Sequence, residues 1–180
     1  MRRILISALL LAGCMSRKPL KVLGEVPAFE LTNQRGQPFT RAALDGHVWI
    51  ADFVYTTCQG PCPRMSSHMR AMQNATDSDV RLVSFTVDPE HDSPPVLEEY
   101  GKRFGANDAR WAFLTGSKDT LNALDRDAFH LGTIGAEMDH STRFVLVDRK
   151  GRIRRYYGIA EGDPVAKIAS DAARLEKEPA

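Results

Sequence analysis

Cys58 and Cys62 stand four positions apart in the run Asp52-Phe53-Val54-Tyr55-Thr56-Thr57-Cys58-Gln59-Gly60-Pro61-Cys62-Pro63. A disulfide between them would close a very short loop, and it would remove so little entropy from the unfolded chain that stapling the fold is a poor reason for the pair. Chemistry is the better reason. The stretch before them, from His47 to Tyr55, is β-branched and aromatic almost throughout, as in a strand buried on both faces, whereas Pro63 to Ala75 has helical periodicity. The sulfurs therefore sit where a strand hands over to a helix. Unpaired N–H groups and the positive end of the helix dipole favour thiolate there, and thiolate is the form that attacks disulfides and binds soft metals. Pro61 and Pro63 suit a first helical turn, where a missing N–H costs little.

With three residues between the cysteines, the loop is expected to open widely enough to admit a metal between the sulfurs. Two thiolates suit Cu(I), and a nearby imidazole makes such a site acceptable to Cu(II) as well. His140, in Met138-Asp139-His140-Ser141-Thr142, is the candidate third ligand, because it immediately precedes a strand, Thr142 to Val147, expected beside the cysteine-bearing one. His47, His68, His91 and His130 read as surface or core residues. Met65, Met69 and Met72 form a stripe at helical spacing, which favours core packing over thioether ligation. Asp88 and Asp92 flank a proline turn after another buried strand, Val80 to Val87. They are either groups that orient a ligand or ordinary turn residues.

These residues need a scaffold, and its elements can be followed along the chain. Phe29 to Thr32 and Pro38 to Thr40 read as an N-terminal hairpin around Gly36, followed by a short helix ending near Gly46. After the helix carrying Met65 and the strand from Val80, Ser93 is expected to cap a helix running to Gly105. Trp111 to Leu114 reads as a strand and Ser117 to Phe129 as a helix. Thr142 to Val147 and Arg152 to Tyr157 alternate across a turn, and Asp163-Pro164 opens a closing helix. This order predicts an α/β fold, a thioredoxin-like sandwich with a central mixed β-sheet flanked by helices and an N-terminal hairpin.

At 180 residues the chain has room for one domain. Its 24 basic and 23 acidic side chains leave a net charge of +1, so no basic field draws it toward nucleic acid. Residues 1–14, MRRILISALLLAGC, carry two arginines, a short apolar run and small residues ending at Cys14. That is the order of an export signal, and the run is far short of the roughly 20 residues a membrane helix needs. Leu11-Ala12-Gly13-Cys14 has the form of a bacterial lipoprotein box, predicting that Cys14 is lipidated and becomes the mature N-terminus. Residues 15–26 are expected to be a polar tether, and 27–180 the copper and thiol domain, held at a membrane on its extracytoplasmic side. Arg152, Arg154 and Arg155, after Arg143, read as a solvated basic face or one bearing on partner choice.

Cys58-Gln59-Gly60-Pro61-Cys62-Pro63, the loop Thr86-Val87-Asp88-Pro89-Glu90-His91-Asp92, and Asp139-His140-Ser141, in this order and spacing, closely resemble the Sco/SenC proteins. The similarity runs over about residues 25–175. It implies a thioredoxin-like domain that binds copper through Cys58, Cys62 and His140. It also implies a role as metallochaperone in maturing the dinuclear copper centre of cytochrome c oxidase, whose copper-receiving subunit, or another copper protein, would be the partner. For some members it implies thiol-disulfide reductase activity through the same two cysteines without metal. Two features depart from the pattern: many relatives are held by a transmembrane helix instead of a lipid, and the segment from His130 to His140 is short and glycine-rich.

Overall fold

The computed structural model describes residues 18–131, 142–160 and 162–179. β1 (Gly24–Glu25) is followed by the hairpin β2 (Glu30–Asn33) and β3 (Pro38–Thr40), then a 3-10 turn at Arg41–Leu44. β4 (Trp49–Val54), α1 (Cys62–Ala75), β5 (Arg81–Thr86), α2 (Pro94–Arg103) and β6 (Trp111–Thr115) alternate strand with helix. α3 (Lys118–Ala123), the hairpin β7 (Arg143–Val147) and β8 (Arg152–Gly158), and α4 (Pro164–Leu175) complete the order.

Among the described residues the strands make one mixed sheet in the order β1-β8-β7-β4-β5-β6-β2-β3. β4 lies inside it, parallel to β5 and antiparallel to β7. That position explains its composition. All six residues of β4 are buried, and their alternation feeds two cores. Ile50 and Val54 pack with Met65, Met69 and Met72 of α1, Leu97 of α2 and Ile168 of α4. Trp49, Ala51 and Phe53 face the other side, with Phe29, Leu31, Leu121 and Phe129. The methionine stripe is thus core packing, as its spacing predicts, and the α/β sandwich with its N-terminal hairpin is the fold observed.

Helix ends follow local chemistry. Ser117 Oγ accepts from the Thr120 N–H at 3.1 Å, and Asp163 Oδ1 accepts from Val165 and Ala166 at 3.0 and 3.2 Å. Ser93 occupies the N-cap position of α2 but makes no capping bond. The helix expected over Ser117 to Phe129 is α3 continued by a wider π-helical turn at Leu124–Ala128.

The tether is a correction. From Lys18 onward the segment expected to be free is docked on the domain: β1 pairs antiparallel with β8, and Leu23 N–H donates to Ile153 O at 2.8 Å. Val26 is buried in one core, Leu20 packs against the other, and Arg154 adds a polar anchor. Expected on a solvated face, it is 5% exposed and bonds Asp148 and Glu178, each at 2.8 Å through Nη1. A buried guanidinium has five N–H donors to satisfy, and Leu20 O takes two of them, from Nε at 3.2 Å and Nη2 at 2.5 Å. Leu20 O thus satisfies donors that this arginine would otherwise bury without a partner.

Candidate metal and thiol site

β4 and β5 run parallel with Val54 opposite Thr86, so the segments Tyr55 to Cys58 and Val87 to Asp92 leave the sheet at the same end. The Val87 N–H donates to Val54 O at 2.9 Å, extending the ladder by one bond. Beyond it a buried carboxylate takes over. Asp92 is fully buried and accepts from the Thr56 N–H at 3.2 Å, Thr56 Oγ1 at 2.5 Å and Thr86 Oγ1 at 2.5 Å. The approach to the cysteines is thereby tied to the neighbouring loop. Asp88 is fixed in the same loop, its N–H donating to Thr86 Oγ1 at 2.9 Å and its carboxylate lying 2.8 Å from His91 Nδ1.

Cys58 and Cys62 are both buried and are not joined as a disulfide, with Cys62 the first residue of α1. Their sulfurs are not equivalent. Burial opposes the Cys58 thiolate, but the Cys62 thiol, the N–H groups of Cys62 and Gly60 and the Tyr55 hydroxyl donate to it and together hold this thiol below its ordinary pKa. Burial and the hydrogen bond to Cys58 push the Cys62 thiol far upward, helped by the charges of Cys58 and Asp52. A helix N-terminus alone predicts two activated thiols; the structure activates one, because the inner sulfur is spent as a donor to the outer. This arrangement presents one attacking thiolate with a second sulfur beside it, or, once both protons have left, two soft anionic ligands.

Two groups at the site were not singled out by sequence. Tyr55 donates its hydroxyl to Cys58, and that bond, with burial and the nearby cysteine and Asp88 charges, pushes its own pKa up to about 12. Asp52 lies on the same face of β4 as Ile50 and Val54, beneath α1, and is fully buried. Ser84 Oγ donates to its Oδ1 at 2.6 Å, Trp111 Nε1 donates to Ser84 Oγ at 3.0 Å, and Oδ2 has no partner. Burial, only partly offset by Ser84, pushes this carboxyl up to about 7. The signal for Asp52 was in plain view as a lone acid in an otherwise apolar strand.

Of the other histidines, His47 pairs with Asp79 at 3.0 Å before β4 begins, His68 lies half-buried against Phe144, and His130 Nδ1 is 3.3 Å from Arg126 O. His140 and Cys14 lie outside the described residues, as does the export signal. The register of β7 against β4 places the start of β7 at the sheet end where β4 stops, so the chain returns into the sheet beside the cysteines. No helix among the described residues is long and apolar enough to cross a membrane.

The model of the SCO1/SenC family matches residues 20–176, nearly the whole described chain. The chain belongs to the SCO1/SenC family. Its architecture is similar to that of a SCO1/SenC family lipoprotein from Bacillus anthracis, with 33% identity and a TM-score of 0.81 over 88% of this chain and 99% of the other. It is also similar to BsSco, described as having a disulfide switch and belonging to the Sco family of cytochrome c oxidase assembly proteins. There the identity is 32% and the TM-score 0.79, over 89% of this chain and 98% of BsSco. A third relative, Bradyrhizobium japonicum ScoI with copper bound, matches at 25% identity and a TM-score of 0.70, over 84% of this chain and 99% of ScoI. Family members thus include copper-bound proteins and factors of oxidase assembly.

Proposed function

We propose that this SCO1/SenC protein is an extracytoplasmic copper metallochaperone that binds one copper ion through Cys58, Cys62 and His140. It delivers the metal to, or prepares, the dinuclear copper centre of cytochrome c oxidase. The observation that carries this reading is a pair of buried, unequal thiols, not joined as a disulfide, just past the end of a fully buried strand, in a family with a copper-bound relative. Cys58 supplies the first thiolate. Cys62 gives up the proton it shares with Cys58 and becomes the second ligand, and the imidazole of His140 completes a donor set fit for Cu(I) and Cu(II). Asp92 and Asp88 act as orienting groups, Asp92 by fixing the approach to the loop through Thr56. Cys14 anchors the chain by lipid to the outer side of a membrane, a reading supported by the relative described as a lipoprotein.

The inequality of the sulfurs favours a second reading, a thiol-disulfide oxidoreductase acting on a copper-receiving protein. Cys58 would attack the target disulfide and Cys62 would resolve the mixed disulfide. One experiment separates the two. The copper-loaded protein, mixed with a reduced, metal-free copper-receiving oxidase domain, should transfer its metal in stoichiometric amount, read by metal analysis after separation. Retention of the copper, together with rapid reduction of the oxidised domain by the metal-free protein, would assign the reductase role instead.

A further inference from the structure

His91, like His47, is held through Nδ1 by a carboxylate, but its ring is far more exposed. Its Nδ1 lies 2.8 Å from Asp88 Oδ2, and since a carboxylate only accepts, Nδ1 carries the hydrogen and the lone pair of the neutral ring sits on Nε2. The imidazole side chain is 70% exposed, whereas that of Asp88 is 11% exposed. Asp88 does not swing freely: its N–H is bonded to Thr86, and its carbonyl accepts from the N–H groups of His91 and Asp92 at 3.2 and 2.9 Å. The result is an imidazole aimed outward from a fixed loop. That loop leaves the sheet beside Tyr55, which feels the charge of Asp88 and bonds Cys58. His91 therefore sits at the sheet end that carries the cysteines, where its neighbour Asp92 bonds Thr56, two residues before Cys58.

A carboxylate on the far nitrogen of an imidazole fixes the ring and makes the free nitrogen a stronger ligand. Asp88 has that effect on His91, raising its basicity first through the hydrogen bond and then through charge. Yet one imidazole is too little to retain a metal, and among the described residues no group of three His, Cys, Asp or Glu side chains is placed to hold one. A single, exposed, well-aimed ligand suits a metal in passage.

We propose that Nε2 of His91, aimed by Asp88, is an outer copper ligand that captures Cu(II) at the mouth of the site and passes it to Cys58. The inference rests on the copper site proposed above. Capture exchanges one ligand of the incoming Cu(II) for the Nε2 lone pair, and transfer exchanges Nε2 for the Cys58 sulfur. No electron moves, and the thiol protons leave to solvent as the thiolates bind.

The test mixes reduced full-length protein with Cu(II) supplied as its glycine complex and follows the thiolate-to-Cu(II) absorption by stopped flow. His91→Asn should slow the rise roughly tenfold with the final amplitude unchanged, and Asp88→Asn, which frees the ring without removing it, should slow the rise by less. His47→Asn, which breaks a similar His–Asp pair before the opposite end of β4, should leave the rate alone. An unchanged rate in His91→Asn, with the wild-type band intact, overturns the outer-ligand role and leaves the copper site standing. A lowered final amplitude in that variant makes His91 a resident ligand and also overturns it. If the wild type forms no band at all, the copper-site reading falls, and this one with it.

Discussion

Replacing Asp92 by alanine should lower the folding stability by about 3 kcal/mol, because it strips three donors of their acceptor in a site without solvent access. Loss should appear locally as well as globally. Urea denaturation should report the drop, and amide exchange should accelerate more at Thr56 than within β4. Asp92→Asn should fall between the two, since its amide keeps one acceptor oxygen. A loss below about 1 kcal/mol for Asp92→Ala would mean that water or a rotated threonine replaces the carboxylate at little cost.

Asp52→Asn should flatten the dependence of stability on pH. The wild-type carboxyl ionises near 3.8 when unfolded and near 7 when folded, so between those values the folded state holds the extra proton and stability falls as pH rises. The full loss is on the order of 4 kcal/mol, from a shift of about three pKa units. Asparagine keeps an oxygen for Ser84 and has no proton to lose, so the variant should match or exceed the wild type at pH 7. Asp125 adds slope of the same sign, because burial pushes it up to about 6, with no partner on either oxygen among the described residues. Asp125 contributes equally to wild type and variant, so the difference between their slopes belongs to Asp52, and it is clearest between pH 6 and 7, where Asp125 is mostly ionised. Equal slopes for wild type and variant in that window would mean that Asp52 is ionised and stabilised by something other than Ser84.

Much of this architecture was legible because local and global signals agree. An unbroken β-branched and aromatic run ending at Cys58, followed by prolines and a methionine period, can only be a buried strand feeding a helix, and that is what β4 and α1 are. The leader was illegible for a physical reason: its apolar residues, Leu20, Val22, Leu23 and Val26, follow no clean period, and part of what docks it is a guanidinium 134 positions from Leu20 in the chain. The inequality of the cysteines escaped for a related one. Spacing places both sulfurs at a helix N-terminus, but which one receives the N–H groups and which donates depends on the depth of each in the folded loop. Asp88 and Asp92 looked alike as turn residues. Only the fold separates a buried acceptor of three bonds from a rim carboxylate paired with His91.

The central claim is that the two sulfurs and His140 form one copper site. It is tested most directly by titrating the reduced protein with copper in each oxidation state, reading metal content after separation and the thiolate-to-Cu(II) absorption. The wild type should take up one ion per chain, Cys58→Ser and Cys62→Ser should lose both the stoichiometry and the band, and His140→Ala should weaken Cu(II) more than Cu(I). Uptake and absorption in the cysteine variants equal to those of the wild type would contradict the account outright, and a wild-type Cu(II) spectrum in His140→Ala would remove that histidine from the ligand set.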